Sequence, residues 1–340
     1  MTSLKVALIG YGLGGKIFHA PLIESIPEFK LCAIVSSRRE QIADDFPDRV
    51  MAETTDDADL VVISTPDETH VPLARAALEA GKHVVVDKPF ALSVADAQSL
   101  VDLAEAKGKV ISVYQNRRWD SEFLGLREVI DSGRLGRITQ FESRIDRYRP
   151  DVRRGTWREQ NPDAPAFWFD LGPHLVDQAL LLFGLPRSIS LFTAKVREEA
   201  PIDDWFHAVL QYSDKQIILH ASALVPGDTP RFSIHGTGGS WIKYGADVQE
   251  DQAKAGMARS HADFGLDLRQ ARFWDSETRS KRHFIMPRGD HSTYYRLLRD
   301  CLLNGAPNPV PPAEALRTMV VLEAGALSLR TGATVTLAQQ

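Results

Sequence analysis

Cysteine is scarce in this sequence, because its 340 residues include only Cys32 and Cys301. Two cysteines are too few for a disulfide framework, and these two lack the spacing of metal ligands. Cys32 falls in a predicted strand, where a buried free thiol is the expected state. The scarcity of cysteine therefore favours a reducing compartment.

Long apolar runs are missing too, since no stretch approaches the roughly 20 apolar residues that span a membrane. The apolar start from Leu4 to Leu13 invites comparison with a signal peptide. Glycines and then Lys16 and His19 break that run, and no cleavage pattern of small residues follows it. We expect a soluble cytoplasmic protein with no membrane partner.

An excess of positive charge is the third absence. The chain has 40 Lys and Arg against 45 Asp and Glu, which gives a net charge of -5 with basic residues spread along its length. Binding to nucleic acid needs a basic stripe or patch, so we expect no nucleic-acid partner. A hydrophobic fraction of 44% is ordinary for a globular protein, and 340 residues suffice for two domains.

A glycine-rich segment follows the first predicted strand, Lys5–Ile9. Residues Gly10 to Gly15 fit the pattern G-x-G-x-x-G, and a helix is predicted from about Gly14 to Ser25. Glycines in this pattern allow a tight turn, close approach of the backbone to a pyrophosphate, and close packing of helix on strand. We therefore predict a dinucleotide-binding loop, with contacts from Gly10, Gly12, Leu13 and Gly15.

The next predicted strand, Leu31–Ser36, ends in Ser36-Ser37-Arg38-Arg39. An acid at this place would bind the ribose 2′-hydroxyl of NAD, and the segment has none. Two hydroxyls and two guanidinium groups suit a 2′-phosphate, so Ser36, Ser37 and Arg38 are predicted to bind NADP. The alternative is that the arginines only begin a solvated helix and that the protein also accepts NAD.

Further strands alternate with helices up to about residue 119. Predicted strands at Asp59–Ser64, Val84–Val86 and Val110–Tyr114 are separated by helical segments, which is the pattern of a doubly wound parallel sheet. We therefore expect an α/β Rossmann domain over residues 1–119. Lys88 follows the valine strand at its carboxyl end, where such sheets bind ligands, although a solvated lysine would give the same pattern.

The pattern changes in residues 120–340, the predicted second domain. After a helix from Asp120 to about Asp131, polar and apolar residues alternate in part, which predicts an open, mainly antiparallel sheet in an α+β domain. Asp247–Arg282 is polar and weakly periodic, so we expect long irregular excursions there. The predicted strands cover residues 138–148, 186–197, 205–213, 216–224 and 231–236. A last helix is expected to bury the stripe Leu316, Val320, Ala324 and Leu327.

The most informative segment of this domain runs from Asp170 to Asp177. Pro173 fits best in the first turn of a helix, so the helix is expected to begin between residues 168 and 172. On a helix, Asp170, His174 and Asp177 share one face. A histidine beside a carboxylate can act as a general base, but a structural histidine and a metal site of all three residues are alternatives.

Together these motifs resemble the Gfo/Idh/MocA family of NAD(P)-dependent oxidoreductases, from the glycine-rich loop through Asn116-Arg117-Arg118-Trp119 to Asp170 and His174. One departure is Asp87 in Asp87-Lys88-Pro89, where the family usually has Glu. The resemblance implies that the second domain packs against its copy, in a homodimer or homotetramer. It also implies cofactor contacts from Thr65, Pro66, His70, Lys88, Asn116, Trp157 and Arg158.

For such a protein we expect reversible hydride transfer between NADP and a secondary alcohol of a polyol, an inositol or a sugar. His174 would take the hydroxyl proton, Asp170 would orient His174, and Lys88 would hydrogen-bond the reacting oxygen. Further substrate contacts are expected from Arg118, Tyr148 and Arg149, with surface charges and a strand aromatic as the alternative.

Two other functions fit the same motifs. Some relatives retain their nicotinamide for transient oxidation during hydrolysis or elimination. A non-catalytic regulator that binds a nucleotide would share the first domain. Lys88, Asp170 and His174 together argue against the regulator, because a sensor needs none of that chemistry.

Overall fold

The structure, a computed structural model, describes residues 3–46, 54–152 and 166–338. The chain divides into two compact units. The first comprises Met1–Asn116, Ala253–Gly256 and His291–Met319, and the second comprises Arg117–Gln252, Met257–Asp290 and Val320–Gln340. The domain boundary near residue 119 stays a prediction. That prediction did not include the return of residues 291–319 to the first unit.

A parallel sheet of five strands is the main feature of the first unit. Its strands are β1 (Leu4–Ile9), β2 (Phe29–Val35), β3 (Leu60–Ile63), β4 (His83–Val86) and β5 (Ile111–Val113). They pair in parallel in the order β2-β1-β3-β4-β5. The three valines of β4 are completely buried, as expected of a strand covered on both faces. The predicted Rossmann-type sheet is thereby confirmed.

Helices alternate with these strands. A π-helical turn, Gly14–His19, follows the glycine-rich loop and continues as α1, so the first helix is present but begins with an unexpected turn. The remaining helices are described by their bounds and their unit. In the first unit, α1 is Ala20–Glu24, α2 is Arg39–Asp45, α3 is His70–Glu79 and α4 is Val94–Ala106. In the second, α5 is Ser121–Asp131 and α6 is Ala166–Phe183. Helix α7, Gln249–Lys254, begins in the second unit and ends in the first. Helix α8, Ser292–Asn304, belongs to the first unit, and α9, Pro312–Thr331, begins in the first and ends in the second.

A mixed sheet of nine strands is the main feature of the second unit. Its strands are β6 (Ile138–Asp146), β7 (Ser188–Ala194), β8 (Trp205–Gln211), β9 (Gln216–Ser222), β10 (Pro230–Gly236), β11 (Gly239–Tyr244), β12 (Ala271–Asp275), β13 (Lys281–Phe284) and β14 (Val335–Thr336). In the order β13-β12-β11-β10-β6-β9-β8-β7-β14, all neighbours are antiparallel except β6 and β9. The predicted open, mainly antiparallel sheet is confirmed.

The segment Asp247–Arg282 is more regular than expected. It contains α7, β12 and the start of β13, so the expectation of long irregular excursions was wrong in part. In β12 only Ala271 and Phe273 are buried. A strand this short offers too few alternations to be distinguished from a polar loop.

The start of α6 corrects a prediction, because the helix already includes residue 166 and Pro173 lies inside it. Proline has no N–H for the carbonyl four residues earlier, and in a helix interior it costs about 3 kcal/mol. Trp168, Leu171 and Leu175 of the same helix are buried, and each contributes roughly 1.5–3 kcal/mol of hydrophobic stabilisation. The stabilisation from tertiary packing therefore exceeds the cost of Pro173 inside the helix, which is why the helix starts earlier than predicted.

The last helix, α9, buries only part of the predicted stripe. Ala324 of that stripe is buried together with Leu322 and Ala326, whereas Leu327 of the stripe is 39% exposed. The indole of Trp168 explains the difference, because its Nε1 donates to the Leu322 carbonyl at 3.0 Å. A Cβ on Gly325 would lie 2.9 Å from the same ring. The small residue lets the indole approach, and this contact fixes the rotation of the helix.

No described helix is both long enough and apolar enough to cross a membrane.

Backbone contact fixes the turn after β1. Gly10 has φ +98°, a conformation that favours glycine, and a Cβ there would collide with the carbonyl oxygen of Ser64 after β3. A Cβ on Gly15 would collide with the carbonyl oxygen of Gly10. A Cβ on Gly12 would meet no described atom within 4 Å. Gly10 and Gly15 thus shape the loop, while Gly12 leaves open space beside it.

Gly10→Ala should lower the free energy of unfolding of the first unit by at least about 2 kcal/mol, because backbone strain adds to the collision with Ser64. The matched variant Gly12→Ala should unfold like the unmodified protein. Urea unfolding followed by circular dichroism measures both. Equal stability of the two variants would contradict the role given to Gly10.

Candidate functional site

The carboxyl ends of β3 and β4 meet the glycine-rich loop at one edge of the first sheet. Ser64, which follows β3, donates its hydroxyl to Asp87, which follows β4, with 3.1 Å from Oγ to Oδ2. A Cβ on Gly14 of the loop would lie 2.5 Å from Ser64 Oγ and 3.0 Å from Asp87 Oδ2. The loop therefore lies against the acid that directly precedes Lys88.

Asp87 is held from several sides. Its Oδ1 accepts the backbone N–H of Lys88 at 2.8 Å, and its Oδ2 lies 3.4 Å from Nε2 of the buried His19. Burial by itself would raise the pKa of the Asp87 carboxyl. The hydrogen bond from His19 and the charges of His19, Lys88 and His70 outweigh burial and hold this pKa well below its usual range. Asp87 is therefore a carboxylate at neutral pH.

His70 links the segments after β3 and β4. Its ring is completely buried, with Nδ1 2.8 Å from the Pro89 carbonyl oxygen and Nε2 3.1 Å from the Thr65 carbonyl oxygen. Both neighbours are acceptors, so a neutral ring can donate to one of them and an imidazolium to both. His70 thereby positions Thr65 and the peptide that follows Pro89. The cofactor contacts of Thr65, Pro66 and His70 stay predictions.

The end of β2 presents the groups predicted to bind a 2′-phosphate. Ser36 is half-buried, and Ser37 and Arg38 are exposed. Ser36 Oγ accepts the backbone N–H of Arg38 at 3.3 Å, and the Arg38 guanidinium donates to Gln41 at 3.4 Å. Because Arg39 begins α2, the alternative of a solvated helix start is compatible with the same geometry. The donors nevertheless suit a 2′-phosphate, and the open space at Gly12 suits a pyrophosphate.

The C-terminal end of α2 is bound to the glycine-rich loop through Asp45. This carboxylate accepts the Tyr11 hydroxyl at 2.8 Å and forms an ion pair with Lys16 at 2.7 Å. Burial, and then the neighbouring Asp45, raise the pKa of the Tyr11 hydroxyl, which therefore stays a donor. No role was predicted for these residues, because their spacing shows no local pattern.

The other predicted cofactor contacts differ in their surroundings. Leu13 in the loop is 56% exposed. Asn116 is buried at the start of a short 3-10 turn after β5. Trp157 and Arg158 lie outside the described residues.

In the second unit, Asp170, His174 and Asp177 lie along α6. Asp170 is half-buried, and the other two are buried. The Asp177 carboxylate accepts two hydrogen bonds from the guanidinium of Arg118, 2.8 Å from Nε and 2.6 Å from Nη2. Asp177 thus has a bidentate partner within the chain. Asp170 and His174 stay the predicted acid–base pair.

Asp170 has a basic neighbour, Arg147, that was not predicted from the sequence. Burial, and then the charge of Arg149, lower the pKa of Arg147 to about 10, while attraction to Asp170 opposes the shift. The backbone N–H groups of Arg147 and Arg149 donate to the carbonyls of Ser222 and Ala223, at 2.9 and 2.8 Å. These hydrogen bonds continue the pairing of β6 with β9 and hold Arg147 near Asp170. The sequence shows a run of charged residues after β6. The alternation of polar and apolar residues does not show which of them lies near Asp170.

The predicted substrate contacts are not equivalent. Tyr148 is 58% exposed and forms an isolated bridge with Leu224, and Arg149 is also exposed. Arg118 is only 6% exposed and forms the ion pair with Asp177. Its contact with substrate stays a prediction, beside a structural role that the sequence did not indicate.

Buried polar side chains form a hydrogen-bonded network around Gln178, four residues after His174. Gln178 donates to the backbone carbonyl of Arg117 at 2.8 Å and accepts from Arg231 at 3.0 Å. The Arg231 guanidinium lies 3.4 Å from the buried Glu122. Burial, and then repulsion by Asp120, raise the pKa of Glu122 to about 8. The network ties α6 to α5 and β10, and sequence reasoning missed it because its members lie far apart in the chain.

Two family models match this chain, each over a different region. Residues 4–115 match the model described as oxidoreductase family, NAD-binding Rossmann fold, and residues 127–337 match that of the oxidoreductase family, C-terminal alpha/beta domain. The chain belongs to the Gfo/Idh/MocA family of oxidoreductases. The resemblance expected from its motifs is thereby confirmed. Lys88 falls within the first matched region, and Asp170 and His174 fall within the second.

Relatives in this family match along the full length. The uncharacterized oxidoreductase YdgJ of Escherichia coli (strain K12) is 43% identical and covers 99% of each chain. The scyllo-inositol 2-dehydrogenase (NADP(+)) IolW of Bacillus subtilis (strain 168) is 36% identical, over 99% of this chain and 97% of the relative. A crystal structure from Klebsiella pneumoniae, assigned to the oxidoreductases, is 46% identical with a TM-score of 0.92, over 100% of this chain and 96% of that one. This family member is thus an oxidoreductase with an NAD-binding Rossmann domain.

The pairing of Arg118 with Asp177 can be tested separately from substrate binding. Arg118→Lys keeps the charge but loses the two parallel hydrogen bonds, so it should lower the free energy of unfolding by about 1.5–3 kcal/mol. The control Arg149→Lys, at an exposed position, should change it by less than about 0.5 kcal/mol. Urea unfolding measures both values. An Arg118→Lys variant of unchanged stability but raised KM would favour a substrate contact instead.

Proposed function

We propose that this chain is an NADP-dependent dehydrogenase that transfers hydride reversibly between the nicotinamide and a secondary alcohol or ketone of a polyol, an inositol or a sugar. The observation that supports it best is the contact of the glycine-rich loop with Asp87, next to Lys88. A lysine at this edge is close to the loop that would bind the pyrophosphate. The substrate class is supported by the IolW relative, which is named a scyllo-inositol 2-dehydrogenase.

The choice of NADP rests on the end of β2. Ser36, Ser37 and Arg38 offer two hydroxyls and a guanidinium, and no acid stands where NAD would need one. The exposed guanidinium of Arg38 would bind the 2′-phosphate with charge-assisted hydrogen bonds. The NADP(+) in the name of the IolW relative supports the same choice.

A bound nicotinamide would supply the hydride acceptor or donor. His174 takes the hydroxyl proton during oxidation and returns it during reduction. Asp170 orients the imidazole, and the nearby Arg147 favours the carboxylate form of Asp170. The Lys88 ammonium donates a hydrogen bond to the same substrate oxygen and stabilises the negative charge that develops there.

Lys88→Met and His174→Gln should each lower kcat by about 10²-fold or more, because each removes a positioned acid–base or charged group. The matched controls Lys107→Met and His283→Gln, at exposed positions, should retain full activity. The assay is a panel of polyols, inositols and aldoses with NADP or NAD, followed by absorbance of the reduced cofactor. Near-normal rates in both active-site variants would refute the assignment. Tightly retained cofactor with no net reduction would favour hydrolysis or elimination instead.

Arg38→Ala should raise KM for NADP by about 10-fold or more and leave KM for NAD unchanged, because only NADP has the phosphate that this guanidinium would bind. The steady-state measurement with NAD is the internal control. An equal rise for both cofactors would indicate a general effect of the loop. An unchanged KM for NADP would contradict the proposed phosphate site.

A further inference from the structure

A completely buried histidine lies behind Asp87. His19 ends the turn that follows the glycine-rich loop, and its Nε2 lies 3.4 Å from Asp87 Oδ2. Its Nδ1 lies 2.6 Å from the hydroxyl oxygen of Tyr295 on α8. Both ring nitrogens thus face polar groups inside the first unit. Neither residue has a part in the proposed function above.

Tyr295 and Asp87 lie at the two ring nitrogens of His19, and together they favour one tautomer. The tyrosine is completely buried, and burial followed by the neighbouring Tyr114, Tyr294 and Asp87 raises the pKa of its hydroxyl well above 10.0. A hydroxyl that keeps its proton can donate to Nδ1, which matches the tautomer that carries the ring proton on Nε2. Because the Asp87 carboxylate can only accept, this tautomer directs an N–H toward it.

The hydrogen bonds of the Asp87 carboxylate extend to the backbone of Lys88. One carboxylate oxygen accepts the backbone N–H of Lys88 at 2.8 Å, and the other accepts the hydroxyl of Ser64 at 3.1 Å. The charge of Lys88 also helps to keep this carboxylate ionised. Hydrogen bonds therefore run from the phenol of Tyr295 through the imidazole of His19 to the acid beside Lys88.

We propose that Tyr295 and His19 are positioning residues that fix the Asp87 carboxylate, and that this carboxylate keeps Lys88 in place as a charged hydrogen-bond donor. The inference rests on the proposed function for the role of Lys88 in the reaction. Its physical claim about the lysine environment stands independently. The longest link, at 3.4 Å, joins His19 to Asp87, so we expect this link to depend most on the correct tautomer.

Other titratable groups surround these residues. His70 binds the carbonyl oxygens of Pro89 and Thr65 and carries charge toward Asp87 when protonated. The ring of Tyr114 lies 4.3 Å from that of His19, measured between centroids. The Tyr294 hydroxyl donates to Ser112 at 2.9 Å, a contact that does not involve His19.

Tyr294 therefore provides a matched control for Tyr295. The two tyrosines are adjacent on α8, both are completely buried, and both hydroxyls form a hydrogen bond. Replacing either by phenylalanine removes one buried hydroxyl. Only Tyr295→Phe removes the partner of His19.

The first experiment measures the lysine directly. The full chain is labelled with trace acetic anhydride across a range of pH, and acetylation of Lys88 is quantified by peptide mass spectrometry. Asp87→Asn should raise the labelling rate near pH 8 on the order of 10-fold, because loss of the charged acceptor of the Lys88 backbone N–H releases the lysine from its fixed position. Tyr295→Phe should raise it roughly 3-fold, the size of one lost buried hydrogen bond. Asp87→Glu, which retains the charge, and Tyr294→Phe should label like the unmodified protein.

The second experiment measures turnover of NADP with an active polyol. Tyr295→Phe should lower kcat roughly 3- to 10-fold, with KM for NADP unchanged. Tyr294→Phe should change neither quantity. Equal effects of the two variants, or unchanged Lys88 labelling in Asp87→Asn, would overturn the inference. Altered labelling in a protein that turns over no substrate would refute the proposed function and leave the inference standing.

Discussion

The first unit depends on a close approach of two backbone segments. Gly10 lies so near the carbonyl oxygen of Ser64 that no side chain fits between them. This approach brings Gly14 against Ser64 and Asp87, and it sets the direction of the turn that carries His19. The loop for the pyrophosphate and the strand end with Lys88 are therefore parts of one packed arrangement, in which a shift of either displaces the other.

Carboxylates are stabilised in different ways in the two units. Around Asp87, a carboxylate is kept ionised by a histidine hydrogen bond and by nearby positive groups. Around α6, Arg118 forms a bidentate pair with Asp177, while the more exposed Asp170 has Arg147 in its surroundings. Asp177 therefore has a structural partner, whereas Asp170 and His174 are the residues of α6 that are predicted to act on substrate. Breaking a buried pair is costly because it leaves an uncompensated charge.

The sequence predicted features that arise from local periodicity. The valines of β4 and the glycines after β1 indicated a parallel sheet and its loop, because burial on both faces and positive φ restrict the residue types. Features set by distant partners were missed. Pro173 gave a wrong helix start because the packing of Trp168 is tertiary, and the partner of His19 lies 276 residues away. No periodic pattern in a single sequence encodes such pairings.

The position of α8 has a consequence for synthesis. Tyr294 and Tyr295 pack against Tyr114, and Tyr295 also contacts His19. A ribosome that has released only the first 116 residues has made the whole parallel sheet but not these two rings. The strands of the parallel sheet are therefore all synthesised long before the two rings that pack against Tyr114.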